Sequence, residues 1–314
     1  CAVVVVHVGM NWLPIVVEAL RAQERPLQKI VVVDTGSQDQ SSEFLLREFE
    51  PEFIVTMPRK TSFADAVDAG VTRLGPTDWL WILHDDSAPK VDALLHLVAA
   101  ANSSGADIVG PKVLGWNDRT HLLEIGITIG LGGRRETGLE RGERDQGQYD
   151  RDQDVLAVGS AGMLIKSSVW KALDGFDPFL PMFRDDVDLG WRANSAGYRV
   201  AIAPRAVVHH AEAATHRRRS ADAVNLHPRR SDRLNAMRVV LMNVPTWQFP
   251  LLIVGLVLGS LFRSLGFVIG KAFVPARDEF VALEQLVTHL GALREGRQRR
   301  QSAQTVPHKE VATL

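Results

Sequence analysis

At 314 residues and 46% hydrophobic content, the chain has enough apolar material for one large or two small packed domains, which excludes a chain disordered throughout. A formal net charge of -1 gives no global attraction to nucleic acid, so any charged partner must be recognised by local clusters. The single cysteine, Cys1, excludes an intrachain disulfide scaffold and fits a reducing, cytoplasmic setting.

The opening AVVVVHVG (2–9) reads as a first strand and not as a signal peptide, since no basic leader or small-residue cleavage site precedes it. A chain that starts on Cys1 is expected to be a piece of a longer one. LPIVVEALRA (13–22) has helical spacing and KIVVVD (29–34) is a second strand. The order then repeats: SSEFLLREF as helix, FIVTM as strand, SFADAVDAGVTRL as helix, DWLWILHDD as strand. Near-continuous apolar strands alternating with helices predict a mainly parallel sheet covered on both faces, to about residue 115. In such sheets ligands collect beyond the carboxyl ends of the strands, where Asp34, Asp85 and Asp86 fall.

WLWILHDDSAP (79–89) delivers two adjacent acids to the end of an apolar strand. Buried carboxylates are costly unless a cation or metal meets them. Hard oxygen ligands suit Mg2+ or Mn2+, which can bridge the phosphates of a nucleotide, and an Asx turn is the competing reading. Asp34, in VVVDTGSQDQS, is placed either to accept hydrogen bonds from a nucleobase or ribose, or simply to hold its turn.

Residues 116–154 are Gly-rich and charged, too polar to build core, and read as an excursion over the site or toward a partner. Order returns at VLAVGSAGMLIKSSVWKALDGFDP, a strand and a helix ending at Gly175. RDDVDLGWRANSAGYRV starts an acidic helix, on which Asp185 and Asp188 share a face with Arg192 while Asp186 points elsewhere. An acid outside such pairs is a candidate general base; an acid-rich first turn answering the helix dipole is the alternative. The strand VAIAP leads to His209 and His210, of which only one can face a metal held at 84–86, because successive side chains in a strand point to opposite faces.

Beyond residue 214 the character changes: 215–238 hold seven Arg against two Asp, and 239–262 carry no charge. The uncharged stretch is long enough for a membrane span of about 20 residues. Pro245, Pro250 and Arg263 interrupt it, which also suits an interfacial helix or a re-entrant hairpin over 246–274. The neighbouring arginines would favour anionic cytoplasmic lipids. A core helix with a solvated basic face is the competing reading. Residues 294–314 read as a polar, disordered tail. No G-x-G-x-x-G follows the first strand, no G-x-x-x-x-G-K-[ST] occurs, and VGSAG is not a nucleophile elbow.

Taken in order, VVVDTGSQDQS, SFADAVDAGV, WLWILHDDSAP, SAGMLIKSSVWKALDGFDPFL and FRDDVDLGWRANSAGYRV resemble the successive motifs of family-2 nucleotide-sugar glycosyltransferases, over roughly residues 2–240. The nearest likeness is to rhamnosyl- and galactofuranosyl-transferase-like bacterial members. The resemblance implies a GT-A (Rossmann-like) α/β fold with a mainly parallel sheet over 1–240, and the apolar composition of 241–293 reads as a membrane-associated or transmembrane helical segment. It implies inverting, metal-dependent transfer of a sugar from a UDP- or dTDP-linked donor to a glycan or lipid-linked acceptor in envelope polysaccharide synthesis, at the cytoplasmic face of the membrane. By the same resemblance Asp186 is the base, and Asp34, His7, Asp65, His84 and Asp85 contact the nucleotide or donor. Asp86 ligates Mn2+ or Mg2+ with help from Asp85 and from His209 or His210, and Asp185, Trp191, Arg192 and Gly162 line the donor or acceptor side. Two departures stand out: His84 replaces the first acid of the Asp-x-Asp pattern, and Asp185 replaces a Glu. A nucleotide-binding scaffold that has lost metal affinity, and a nucleotidyltransferase, are the alternatives.

Overall fold

A computed structural model describes residues 1–130, 132–151, 153–213 and 227–314. The first part of the chain alternates strand and helix: β1 (Ala2–Val6), α1 (Leu13–Arg21), β2 (Ile30–Asp34), α2 (Ser41–Glu48), β3 (Ile54–Thr56), α3 (Phe63–Leu74) and β4 (Trp79–His84). The four strands lie parallel in the order β4-β1-β2-β3. Along β1 the side chains alternate. Ala2, Val4 and Val6 pack with Leu13, Val16 and Val17 of α1, whereas Val3 and Val5 pack with Ala64, Ala66 and Val67 of α3. Both faces are therefore apolar, which is why the strand reads as an unbroken Val run.

The chain continues through β5 (Ser87–Pro89), α4 (Ala93–Ser104), β6 (Ile108–Gly115), β7 (Leu122–Glu124), β8 (Thr128–Ile129), β9 (Arg135–Glu136), β10 (Gln153–Asp154), β11 (Met163–Lys166), α5 (Ser167–Ala172), α6 (Asp185–Ser195) and β12 (Val200–His210). The sheet order is β10-β12-β6-β11-β4-β1-β2-β3, with β5 paired to β12 and β7 to β6. It is mixed: β1–β2, β1–β4, β2–β3 and β6–β12 pair parallel, β11 is inserted antiparallel between β6 and β4, and β5, β7 and β10 also pair antiparallel. The separate strand expected at VAIAP and the histidine pair after it form one eleven-residue strand, β12, with an irregularity between Ala203 and Val207.

The excursion 116–154 is not too polar to build core: it contains short strands, buries Leu122, Ile125 and Ile127 in the apolar clusters, and is tied down by charge as well. Lys112 of β6, buried, reaches Asp145 at 2.9 Å and Asp150 at 2.5 Å.

A helical layer follows: α7 (Pro228–Asn243), α8 (Phe249–Ile269), α9 (Phe273–Thr288), α10 (Leu290–Ala303) and α11 (His308–Val311). α8 is one uninterrupted helix, because Pro250 sits in its first turn, where a missing N–H costs nothing. In place of a disordered tail, 294–314 carry α10 and α11, with Arg297, Arg300 and Val311 buried. The N–H groups of Thr305 and Val306 donate to the Ser195 carbonyl at the end of α6. A shared apolar cluster joins Val187 and Trp191 of α6 to Met237 and Leu241 of α7 and to Leu293 of α10, so the layer packs on the α/β part. Arg217, Arg218 and Arg219, part of the expected basic block, lie outside the described residues.

Candidate active site

The turn after β4 is assembled by strand pairing. β5 returns antiparallel against β12, which sets Ser87 opposite His210 and Ala88 opposite His209. That register carries His210 to the Asp86 carboxylate: His210 Nε2 is 3.3 Å and His84 Nδ1 3.9 Å from Asp86 Oδ1. The other oxygen, Oδ2, accepts from the Ala213 N–H at 2.8 Å. One ligand atom each from His84, Asp86 and His210 lies within 4.8 Å of the other two. Two metal–ligand bonds of about 2.1 Å allow a separation of roughly 4 Å, so small side-chain rotations would bring the three onto one ion. Two imidazoles and a carboxylate suit a first-row ion such as Mn2+ better than Mg2+, which prefers oxygen.

Burial works against a charged His210, but the carboxylates of Asp86, Glu212 and Glu124 outweigh it and hold its pKa above the ordinary value. His84 is steered by its edge contact with Phe63, by His210, and by Ser160 Oγ 3.0 Å from its Nε2. His209, on the other face of β12, stands outside this group.

The remaining strand-end residues shape the crevice. Asp85 accepts the His7 N–H at 2.8 Å through Oδ2, tying the end of β4 to the end of β1. The approach is so close that a Cβ on Gly9 would lie 2.2 Å from that oxygen. His7 Nδ1 lies 2.8 Å from Thr35 Oγ1, and the N–H groups of Val8, Gly9 and Met10 donate to Ser37, Ser41 and Asp39. Asp34, 2% exposed, accepts from the Ser37 N–H and from Ser42 Oγ, so its carboxylate holds its own turn. Asp65 and Ser62 form a reciprocal cap on α3: Ser62 Oγ donates to Asp65 Oδ2 and accepts from the Asp65 N–H. The Gly162 carbonyl accepts from Trp81 Nε1 at 3.0 Å.

The acid-rich start of α6 carries Asp185, Asp186 and Asp188. Phe183 and Arg184 precede it with φ of 64° and 66°, a strained left-handed pair. α7 holds this pair in place: Arg184 grips Asp232 through two nitrogens at 2.7 and 3.1 Å, and Asn235 Nδ2 donates to the Met182 carbonyl. Burial first, and then the negative charge of Asp186, push Asp185 up to about 8. Asp186 itself is half-buried.

Arg192 lines no crevice. It pairs with Asp188 at 2.7 Å and donates to the carbonyls of Leu173 and Gly175. Trp191 is buried among the C-terminal helices. Burial would raise the Asp188 pKa, but Arg300 and Arg192, with Asn243, overcome it and hold the carboxyl at about 2.

Two residues of the excursion join the site without having stood out in the sequence. Glu124, at the end of β7, is buried, accepts the Gly159 N–H at 2.6 Å and is gripped by Arg135 of β9. Burial raises the Glu124 pKa and Arg135 opposes it; the charges of Asp186 and His210 also act on Glu124. Among the many charges of 130–154 nothing in the pattern distinguishes Arg135, although Glu124 in the apolar run HLLEIGI is a visible anomaly.

A profile described as Glycosyltransferase like family 2 matches residues 2–232. Galactofuranosyltransferase GlfT1 of Mycolicibacterium smegmatis is 26% identical over 201 residues, covering 63% of this chain and 66% of its own length. The N-acetylglucosaminyl-diphospho-decaprenol L-rhamnosyltransferase of Mycobacterium tuberculosis is 24% identical over 221 residues, 60% of this chain and 68% of its own length. The chain thus spans just under two thirds of the first of these relatives. Among solved structures, S. aureus TarS 1-349 in complex with UDP-GlcNAc matches with a TM-score of 0.55 at 12% identity, over 98% of this chain and 92% of that one. GalNAc-T7 with UDP, GalNAc and Mn2+ matches with a TM-score of 0.54 at 15% identity, over 77% of this chain and 47% of that one. These structural likenesses carry the fold, and the profile match over most of the length carries the family: this chain belongs to glycosyltransferase family 2 and has the GT-A fold.

Proposed function

We propose that the protein transfers a sugar, with inversion, from a UDP- or dTDP-linked donor to a hydroxyl of a glycan or lipid-linked acceptor in bacterial envelope polysaccharide synthesis. The observation that carries this reading is the His84–Asp86–His210 group at the strand end, with Glu124 acted on by the charges of both His210 and Asp186. His84, Asp86 and His210 would hold Mn2+, whose charge, when bound, offsets the negative charge of a departing nucleoside diphosphate. Loops 7–10 and 34–41, tied to each other by hydrogen bonds, form the crevice for the nucleotide.

Asp186 takes the proton of the acceptor hydroxyl while that oxygen attacks the anomeric carbon opposite the leaving phosphate. The bond from carbon to phosphate oxygen breaks as the new glycosidic bond forms, and the nucleoside diphosphate leaves. Burial keeps the neighbouring proton on Asp185 at neutral pH, which leaves the half-buried Asp186 as the carboxylate that accepts.

The acceptor would be met at the membrane. α8 is 21 residues long with a mean hydropathy of 2.2, and only 17% of its most apolar window is buried. Its buried residues, Leu256, Ser260 and Ser264, face the protein, and the rest forms a broad exposed apolar face suited to lying against a bilayer.

The test is release of free nucleoside diphosphate from UDP- and dTDP-sugars with Mn2+, in wild type and Asp86→Ala. Release that depends on the metal and is lost in the variant supports transfer chemistry, and no release from any donor in wild type would reject it.

A further inference from the structure

Away from the metal group, α7, α8 and the loop between β8 and β9 surround a cavity of about 380 Å³, within the range of small-molecule sites. Trp247, Leu251, Leu252 and Leu256 form an apolar wall, and Arg233 of α7 and Arg263 of α8 place two guanidiniums against it. The arginines share one carboxylate: Arg233 Nε is 3.3 Å and Arg263 Nη2 3.1 Å from Glu279 Oε2. Burial first, and Arg263 second, lower the Arg233 pKa, which marks the two cations as close enough to repel. This group of three carries one positive charge in excess beside hydrocarbon, a combination that favours an anion attached to an apolar chain.

Two of the cavity's lining residues are largely exposed, Leu251 of α8 at 72% and Trp247, just before that helix, at 71%. One lining residue connects it along the chain to the candidate site. Gly132 lines it and accepts from Arg233 at 2.9 Å. Three residues on, Arg135 grips Glu124, on which the charge of Asp186 acts. Three residues of chain span at most about 11 Å.

We propose that this cavity binds the phosphate-bearing head of a lipid acceptor delivered from the bilayer, the phosphate on Arg233 and Arg263 and the first chain carbons along Trp247, Leu251, Leu252 and Leu256. The inference rests on the glycosyl-transfer reading and adds to it the acceptor subsite, with the glycosylated end leading past Gly132 toward Asp186. Inorganic phosphate would leave the apolar wall unused, and a bulk phospholipid headgroup would not need a cavity.

The test uses the full chain and flotation with phosphatidylcholine vesicles containing either a polyprenyl phosphate or the same mole fraction of phosphatidylglycerol. Wild type should bind the polyprenyl phosphate vesicles about tenfold more tightly, the scale of one charge-assisted contact. Arg263→Gln should remove most of that preference. Gly255→Leu should do the same by filling the cavity, since a Cβ at Gly255 meets nothing within 4 Å and the fold has room for it. Both variants should keep the wild-type circular dichroism spectrum and their phosphatidylglycerol binding.

Equal binding of wild type to the two vesicles, or a preference unchanged in Gly255→Leu, would overturn the proposal. Displacement by inorganic phosphate at a concentration no higher than that of the lipid phosphate would also overturn it, leaving an anion site without lipid specificity. Nucleotide-sugar turnover by wild type without lipid reports on the transferase reading alone. Turnover without vesicle discrimination removes the subsite and keeps the enzyme; discrimination without turnover keeps the lipid-phosphate site and removes the transferase.

Discussion

Asp86 is 1% exposed and yet collects His210, His84 and the Ala213 N–H around one carboxylate. With an imidazole where the sequence pattern has an acid, His84→Asp should shift metal preference from Mn2+ toward Mg2+, read as the ratio of activities with the two ions. Asp186→Asn should lower turnover by about 10²–10⁴-fold with little change in nucleotide affinity, because it removes the proton acceptor and leaves the donor crevice intact.

Two acids of α6 should drive stability in opposite directions with pH. Asp185, whose folded pKa of about 8 lies above its ordinary value, favours folding fully only below about pH 4, and that contribution is lost as pH rises toward 8. Asp188, held at about 2, contributes above its ordinary value and loses that contribution as pH falls from about 4 toward 2. Asp185→Asn should therefore raise the melting temperature at pH 8 and leave it nearly unchanged at pH 4; an equal effect at both would contradict the assignment. At this scale Asp86 and Asp186 were legible because an acid at an apolar strand end or a helix start is conspicuous. The choice of His210 over His209 was not, since the irregularity between Ala203 and Val207 decides which face each histidine takes.

Among the elements, α6 is the one that other elements hold in place. Arg300 of α10 bridges Asp188 at 2.7 Å and Asp177 at 2.8 Å, so a helix more than a hundred residues downstream clamps the one carrying Asp186. Arg300→Met would leave two buried carboxylates short of a cation and should cost on the order of 3 kcal/mol in urea unfolding. Adding Asp188→Asn should recover part of that loss, and a fully additive double variant would mean that the two groups do not interact. α10 escaped sequence reading because its buried face, Leu293, Gly296, Arg297 and Arg300, holds one large apolar side chain and two arginines, which no apolar periodicity marks. The strands and helices up to β4 were readable because each buries a continuous or alternating apolar face.

At the scale of the whole molecule, an α/β sheet with its polar strand ends is joined to a helical layer whose outer face is apolar. The 314-residue chain should float with anionic vesicles and be partly released by high salt, because screening weakens the basic contribution and spares the apolar one. A chain that stays in the soluble fraction at every ionic strength would remove the membrane from the account. The layered sheet was visible in the order of the elements, and the docking of the helical layer was not, because it depends on an apolar cluster whose members, Trp191, Met237 and Leu293 among them, lie far apart in the chain.

The central claim is that the His84–Asp86–His210 group makes nucleotide binding depend on a metal. The most direct measurement is calorimetric titration of UDP and dTDP, each with and without Mn2+, into wild type and Asp86→Ala. The account predicts binding of at least one nucleotide that requires Mn2+ and disappears in Asp86→Ala. Binding unaffected by Mn2+ or by the substitution, or no binding of either nucleotide, would contradict it.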